Sequence, residues 1–206
     1  MPTSNNPPFT PEATIGPFFP FAFTEVMPGS AAVPGPGLSQ RPDGQSVVLS
    51  GRILASDGIG VRNMILESWQ ANAHGRYRHP DDRSARPLDP SFHGFARVRT
   101  SASGQFRLET IKPGAHPCAD GSATRAPHLR LTVFGSGIDR LVTFVYFDDE
   151  AVNAGDPVLA SLEEPLRARL IARRCADDDG DGFTGYRLDL ILRGEGETPF
   201  FDDWST

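Results

Sequence analysis

Residues 126–134, Ala-Pro-His-Leu-Arg-Leu-Thr-Val-Phe, alternate apolar and polar side chains with a period of two. A helix cannot bury such a pattern on one face, whereas a half-buried strand does. His128 and Arg130 then point to one face and Leu129 and Leu131 to the other. Two histidines at this spacing would make a pair of metal ligands on one strand. An arginine in the second place does not, because guanidinium stays protonated and offers no free lone pair.

The same period recurs along the chain. Val47 to Leu54 reads as a strand and Ser56-Asp57-Gly58 as a turn. Asn63 to Trp69 is a second strand, with Met64, Leu66 and Ser68 against Ile65, Glu67 and Trp69. Phe95 to Thr100 and Phe106 to Thr110 flank the turn Ala102-Ser103-Gly104-Gln105, which suggests a hairpin. With His128 to Phe134, Arg140 to Phe147 and Tyr186 to Leu192, about seven strands are expected. One helix interrupts them: Glu163-Glu164-Pro165 opens it, Leu166, Leu170 and Ile171 share a face, and Arg173-Arg174 fall near its end, an order that suits the helix dipole. The 21 glycines and 19 prolines among 206 residues fit a domain rich in turns. The expected fold class is mainly β, a sandwich or barrel over residues 46–206. Residues 1–45 form a separate arm. Its prolines oppose a helix, yet Phe9, Phe18, Phe19, Phe21 and Phe23 are too apolar for a free tail, so the arm should lie across a surface.

A net charge of −6 gives no basic face for nucleic acid. No apolar run approaches the roughly 20 residues of a membrane helix, and no basic start followed by an apolar segment marks a secretory signal. A cytoplasmic location is expected, with Cys118 and Cys175 as reduced thiols.

Three stretches carry side chains that could do chemistry. In residues 69–79, Trp-Gln-Ala-Asn-Ala-His-Gly-Arg-Tyr-Arg-His, the side chains of His74, Tyr77 and His79 can each ligate a metal, although loop histidines are usually just solvated. In residues 112–118, Lys-Pro-Gly-Ala-His-Pro-Cys, His116 and Cys118 stand two apart, with His128 further on; zinc accepts such ligands, but no fourth is evident. In residues 177–182, Asp177, Asp179, Asp181 and Gly182 match the opening of a calcium loop, but position twelve is Leu188 rather than Glu, and a solvated turn is the simpler reading.

Taken in order, several segments resemble the intradiol ring-cleaving dioxygenases. They are Leu-Ser-Gly-Arg-Ile-Leu (49–54), residues 69–79, Leu-Asp-Pro (88–90), Phe-His-Gly-Phe-Ala-Arg (92–97) and Thr-Ile-Lys-Pro-Gly (110–114). Ala-Pro-His-Leu (126–129), Leu-Val-Thr-Phe-Val-Tyr-Phe (141–147) and the run 186–202 through Gly-Glu-Gly-Glu-Thr-Pro-Phe-Phe-Asp complete the series. Each is weak alone; their joint order is specific.

The resemblance implies a β-sandwich and a non-haem ferric ion held by two tyrosines and two histidines, at which a catechol is opened by O₂ between its hydroxylated carbons. Protocatechuate would give 3-carboxy-cis,cis-muconate. The first tyrosine corresponds to Tyr77 and the first histidine to His128. The second tyrosine corresponds to His116 and the second histidine to Arg130. The substrate-side arginine corresponds to Arg125, and a glutamine is replaced by Phe144. Two of four ligands are thus changed. Arg130 would also oppose a cation: against a divalent ion at ~4 Å and a dielectric near 20, the repulsion is about 8 kcal/mol. No metal is therefore expected in this chain. The pattern resembles the iron-free α chain of α/β members of the family, whose β chain carries Fe(III). The implied partner is that β chain, in an obligate hetero-oligomer. The Thr-x-Gly-Pro motif that reaches the partner's substrate pocket corresponds to Thr14, Gly16 and Pro17. A non-enzymatic β-sandwich binding module and an independent dioxygenase with an altered metal set are the alternatives.

Overall fold

The computed structural model describes residues 42–135, 138–175 and 182–202. The arm positions Thr14, Gly16 and Pro17 and the aspartates 177, 179 and 181 lie outside the described residues. Among those described, eleven strands alternate with short helical turns. None of the helices is long and apolar enough to cross a membrane.

The strands form two layers. In one, β1 (Ser46–Leu54) pairs antiparallel with β4 (Gln105–Ile111) on one edge and parallel with β10 (Thr184–Arg187) and β11 (Leu190–Ile191) on the other. In the second, β3 (Phe95–Arg99), β2 (Ile65–Trp69), β7 (His128–Gly135) and β8 (Ile138–Phe147) follow one another antiparallel. Strand β9 (Ile171–Cys175) belongs to both: Ile171 and Ala172 pair with β8, while Arg173, Arg174 and Cys175 pair with β10. A short ribbon of β5 (His116–Pro117) and β6 (Thr124–Arg125) stands apart from these layers.

The inner faces meet in an apolar core. Val47, Leu49, Phe106, Leu108 and Tyr186 from the first layer pack with Leu66, Leu129, Leu131, Val133, Val145 and Phe147 from the second. Leu129, Leu131 and Val133 are fully enclosed, as the alternation of 128–134 predicts. A smaller cluster lies on the outer side of β8, where Ala126, Phe144, Tyr146, Leu159 and Leu170 pack together. The tail docks beside it: the Phe201 amide donates to the Val142 carbonyl at 2.8 Å, and the Phe201 ring meets Phe144 edge-on.

Two expectations need correction. The turn at 101–105 forms, with the Ser101 amide donating to the Gln105 carbonyl at 2.8 Å. It does not close a hairpin, because β3 pairs with β2 and β4 pairs with β1. It carries the chain from one layer to the other. The helix also ends sooner than expected. Glu164–Arg167 is α-helical and Ala168–Leu170 is a 3-10 turn, after which the chain straightens into β9. The backbone groups of 171–175 are claimed by two strands at once, and those pairings outweigh the local helical pattern.

Candidate metal centre

The outer end of the second layer gathers the side chains singled out above. Strand β7 presents His128 and Arg130 outward. His128 stands opposite Tyr146 on β8, and Arg130 lies between Phe144 on β8 and Trp69 on β2. Tyr77 arrives on the loop after β2 and stacks on Trp69, with ring centroids 5.9 Å apart. His116 arrives on β5. The result is a run of facing rings: Tyr77 to His116 at 5.2 Å and His116 to His128 at 5.4 Å.

Two glycines let the loops cross. The Gly114 amide donates to the Asn72 carbonyl at 2.9 Å, and a Cβ on Gly114 would stand 2.4 Å from the Ala73 carbonyl oxygen. Gly75 has φ +75°, and a Cβ there would stand 2.2 Å from the Ala115 oxygen. Tyr77 itself is held where its amide donates to Asp82 at 2.7 Å. The Lys-Pro-Gly and Ala-His-Gly segments therefore bring Tyr77 and His116 together by close backbone approach.

The Tyr77 hydroxyl lies 3.4 Å from His116 Nε2. His116 Nδ1 lies 2.9 Å from the Pro117 carbonyl oxygen and His128 Nδ1 2.7 Å from the Ala126 carbonyl oxygen. Burial pushes the Tyr77 phenol up to about 12, although the Arg125 and Arg130 charges pull against it. Burial pushes His128 down to about 3, reinforced by Arg125, and lowers His116 for the same reasons. Both imidazoles are neutral at pH 7.

Arg125 is engaged in a buried clasp. Its Nε donates to Asp156 Oδ2 at 3.1 Å and its Nη2 to the Tyr146 hydroxyl at 3.0 Å, with its guanidinium over the Phe144 ring. Asp156 is wholly enclosed and also accepts from the Ala126, Val158 and Leu159 amides and from the Tyr146 hydroxyl. Burial alone would raise its carboxyl; the Ala126 amide and the Arg125 charge outweigh that and hold it below the usual carboxylate range. The sequence reading passed over Asp156 and Tyr146. The pair Asp156-Pro157 is a helix-start signal, and Asp156 does cap the turn Pro157–Ala160.

Other candidates fall elsewhere. His74 pairs with Asp43 at 3.3 Å and His79 with Asp81 at 3.5 Å, both exposed and apart from the cluster. Cys118 and Cys175 are free thiols. Among the described residues no three His, Cys, Asp or Glu side chains are grouped to hold a metal. The group that does converge is one phenol and two imidazoles. Ferric iron favours hard anionic oxygens, so this donor set fits it poorly.

Comparison with known proteins places the chain in a family. A family model described as Dioxygenase matches residues 30–194. The chain is 43% identical over 162 residues to the protocatechuate 3,4-dioxygenase β chain of Burkholderia cepacia, covering 77% of this chain and 69% of that one. It is 42% identical over 168 residues to the α chain of Pseudomonas putida, covering 79% of each. It is 36% identical over 204 residues to the α chain of Burkholderia cepacia, covering 94% and 96%. Among solved structures, catechol 1,2-dioxygenase from Acinetobacter sp. ADP1 superposes with a TM-score of 0.60 at 23% identity, covering 84% of this chain and 60% of that one. The dioxygenase domain of a carbohydrate-binding fusion from Streptomyces sp. SirexAA-E gives 0.59 at 22%, covering 92% and 99%. These likenesses carry the fold, and the sequence matches carry the rest: the chain belongs to the intradiol ring-cleavage dioxygenase family.

Proposed function

We propose that this chain is the α subunit of a protocatechuate 3,4-dioxygenase, working in an obligate α/β assembly in the cytoplasm. What supports the reading is the ligand set, which the resemblance implies to be altered. Of the four positions that correspond to the family's iron ligands, Tyr77 and His128 keep the type, while His116 and Arg130 do not. Coverage supports the choice of subunit. The Burkholderia cepacia α chain aligns with nearly the whole of this chain and nearly the whole of itself, whereas the β chain aligns over less of both.

In this reading Fe(III) is held by the β chain, where it supplies the activation of the catechol for attack by O₂. This chain contributes surface. Thr14, Gly16 and Pro17 would line the partner's substrate pocket: Gly16 permits close backbone approach, Pro17 restricts the backbone and Thr14 can donate a hydrogen bond. Arg125 corresponds to a substrate-side arginine. Here it belongs to the Asp156–Tyr146 clasp, and its role is to hold β6 to the helical turn.

Co-expression with a candidate β chain tests the reading. The assembled protein should contain iron and open protocatechuate between its hydroxylated carbons, and this chain alone should do neither. Stoichiometric iron in the purified chain, with the brown-red colour of tyrosinate-to-Fe(III) charge transfer, would overturn it.

A further inference from the structure

We propose that the outer edge of β4 is a self-association surface. A second copy of this chain adds its own β4 there, antiparallel, about a two-fold axis at Leu108. The inference goes beyond the subunit assignment and does not depend on it.

The first ground is the direction of the backbone. Among the described residues β4 has a strand on one side only, β1. The Ile53 amide donates to the Gly104 carbonyl at 2.9 Å and the Lys112 amide to the Gln45 carbonyl at 2.8 Å. Antiparallel ladders bond alternate pairs, so Phe106, Leu108 and Thr110 direct their backbone groups at β1. Those of Gln105, Arg107, Glu109 and Ile111 point away from it. The chain itself caps both ends: the Ser101 amide donates to the Gln105 carbonyl at 2.8 Å and Gln70 Nε2 to the Ile111 carbonyl at 2.9 Å. The stretch between these caps is centred on Leu108. A cleft lined by Val98, Arg99, Gln105, Phe106 and Arg107 opens beside its first half.

The second ground is the regularity of the strand. Edges are commonly guarded by shortness, proline, a bulge or an inward-pointing charge. Strand β4 is seven residues long, keeps one register along β1 and has none of these. Phe106, Leu108 and Thr110 are buried, while Gln105, Arg107 and Glu109 are exposed.

The third ground is charge. The exposed charges of β4 have opposite signs, and Arg107 meets Glu109 at 3.2 Å along the strand. In a two-fold pairing, residues whose backbone points outward must face one another. Centring on Arg107 or on Glu109 sets like charges opposite, which is destabilising. Centring on Leu108 sets Arg107 against Glu109 of the second copy, twice, so that four charges alternate around the axis. Four backbone hydrogen bonds join the same two pairs. The edge of β3 offers no such match: its charged residues are Arg97 and Arg99, and no register there brings opposite charges together.

Disulfide mapping tests the register, in the α/β assembly or in the full chain alone, with Cys118→Ser and Cys175→Ser in place. Opposed residues of a hydrogen-bonded pair have Cα atoms about 5.5 Å apart, inside the disulfide range of about 4.4–6.8 Å. Arg107→Cys in one tagged copy and Glu109→Cys in another should therefore link under oxidised glutathione. Either variant by itself should not, because like residues are diagonal neighbours about 7–8 Å apart. Sedimentation velocity reads the affinity. Arg107→Glu should weaken self-association about tenfold, and Arg107→Glu with Glu109→Arg should restore it to within about threefold. Glu109→Pro removes a donor that points away from β1, so association should be lost with the thermal midpoint nearly unchanged. The cross-linking and charge-reversal readouts stand should the proline variant fail to fold. No link in the mixed sample, equal linking by either cysteine variant alone, a link to the partner chain in place of a second copy, or affinity indifferent to charge reversal would overturn the proposal.

Discussion

Removing the carboxyl of Asp156 should unfold this protein more readily than any other single polar change among the described residues. The side chain has no exposed surface. It answers five donors: the Arg125 guanidinium, the Tyr146 hydroxyl and the amides of Ala126, Val158 and Leu159. Asp156→Ala strands a buried guanidinium, at about 3–5 kcal/mol. It also removes the cap of Pro157–Ala160, at about 1 kcal/mol. A total of about 4–6 kcal/mol is a large part of the roughly 5–15 kcal/mol that holds a domain folded. Asp156→Asn separates the two parts. Oδ1 alone serves the Val158 and Leu159 amides, so the cap survives while the charge pairing with Arg125 is lost. Urea unfolding followed by circular dichroism reads the difference as a shift in midpoint. The decisive variant is Asp156→Ala combined with Arg125→Leu. If a stranded charge is the main penalty, the second change recovers at least ~2 kcal/mol of what the first lost. Losses that simply add would refute the reasoning.

Acid should destabilise the fold well before the carboxylates titrate. His128 is neutral in the fold down to about pH 3, whereas the unfolded chain takes up a proton near 6.5; its contribution is therefore intact above pH 6.5 and falls as pH drops toward 3. At pH 5 the loss is about 2 kcal/mol, and His128→Leu should flatten that part of the pH–stability curve. Asp156 acts lower: with its carboxyl held below the usual range, its contribution is complete above about pH 4 and is lost as pH falls through the native value. Gly114→Ala should move His116 away from Tyr77, because the new methyl meets the Ala73 carbonyl; a drop in thermal midpoint would check it. Gly16→Val in the assembled enzyme should raise KM for protocatechuate and shift preference among substituted catechols with iron content unchanged; wild-type kinetics in an intact complex would reduce the arm to an assembly clamp.

The parts of the molecule that local pattern dictates were legible in the sequence. The period-two run at 128–134 placed Leu129 and Leu131 inward and His128 outward, and the strand is where it should be. Tyr77, His116 and His128 were named from residue type and motif order, and the fold brings them together. What was missed depends on partners distant in the chain. Nothing within 163–175 announces that two strands, at 146–147 and 185–187, will take hold of 171–175 and end the helix. The turn at 101–105 has hairpin chemistry, yet the edges of β1 and β2 are what β4 and β3 seek. Asp156 carries no local signal of its clasp because its buried partners, Arg125 and Tyr146, lie ten or more positions back.

The pairing of β1 also sets a timetable for synthesis. Val47 needs Thr184 beside it, and Ile53 needs Leu190. On the ribosome β1 emerges early and can take β4 within some sixty residues, but its other edge must wait until nearly the whole described chain has been made. During that interval the backbone donors and acceptors of that edge can be satisfied by any extended segment that comes near. Truncation before residue 184 therefore yields a chain that cannot close its first sheet, and a long nascent intermediate that calls for chaperone protection.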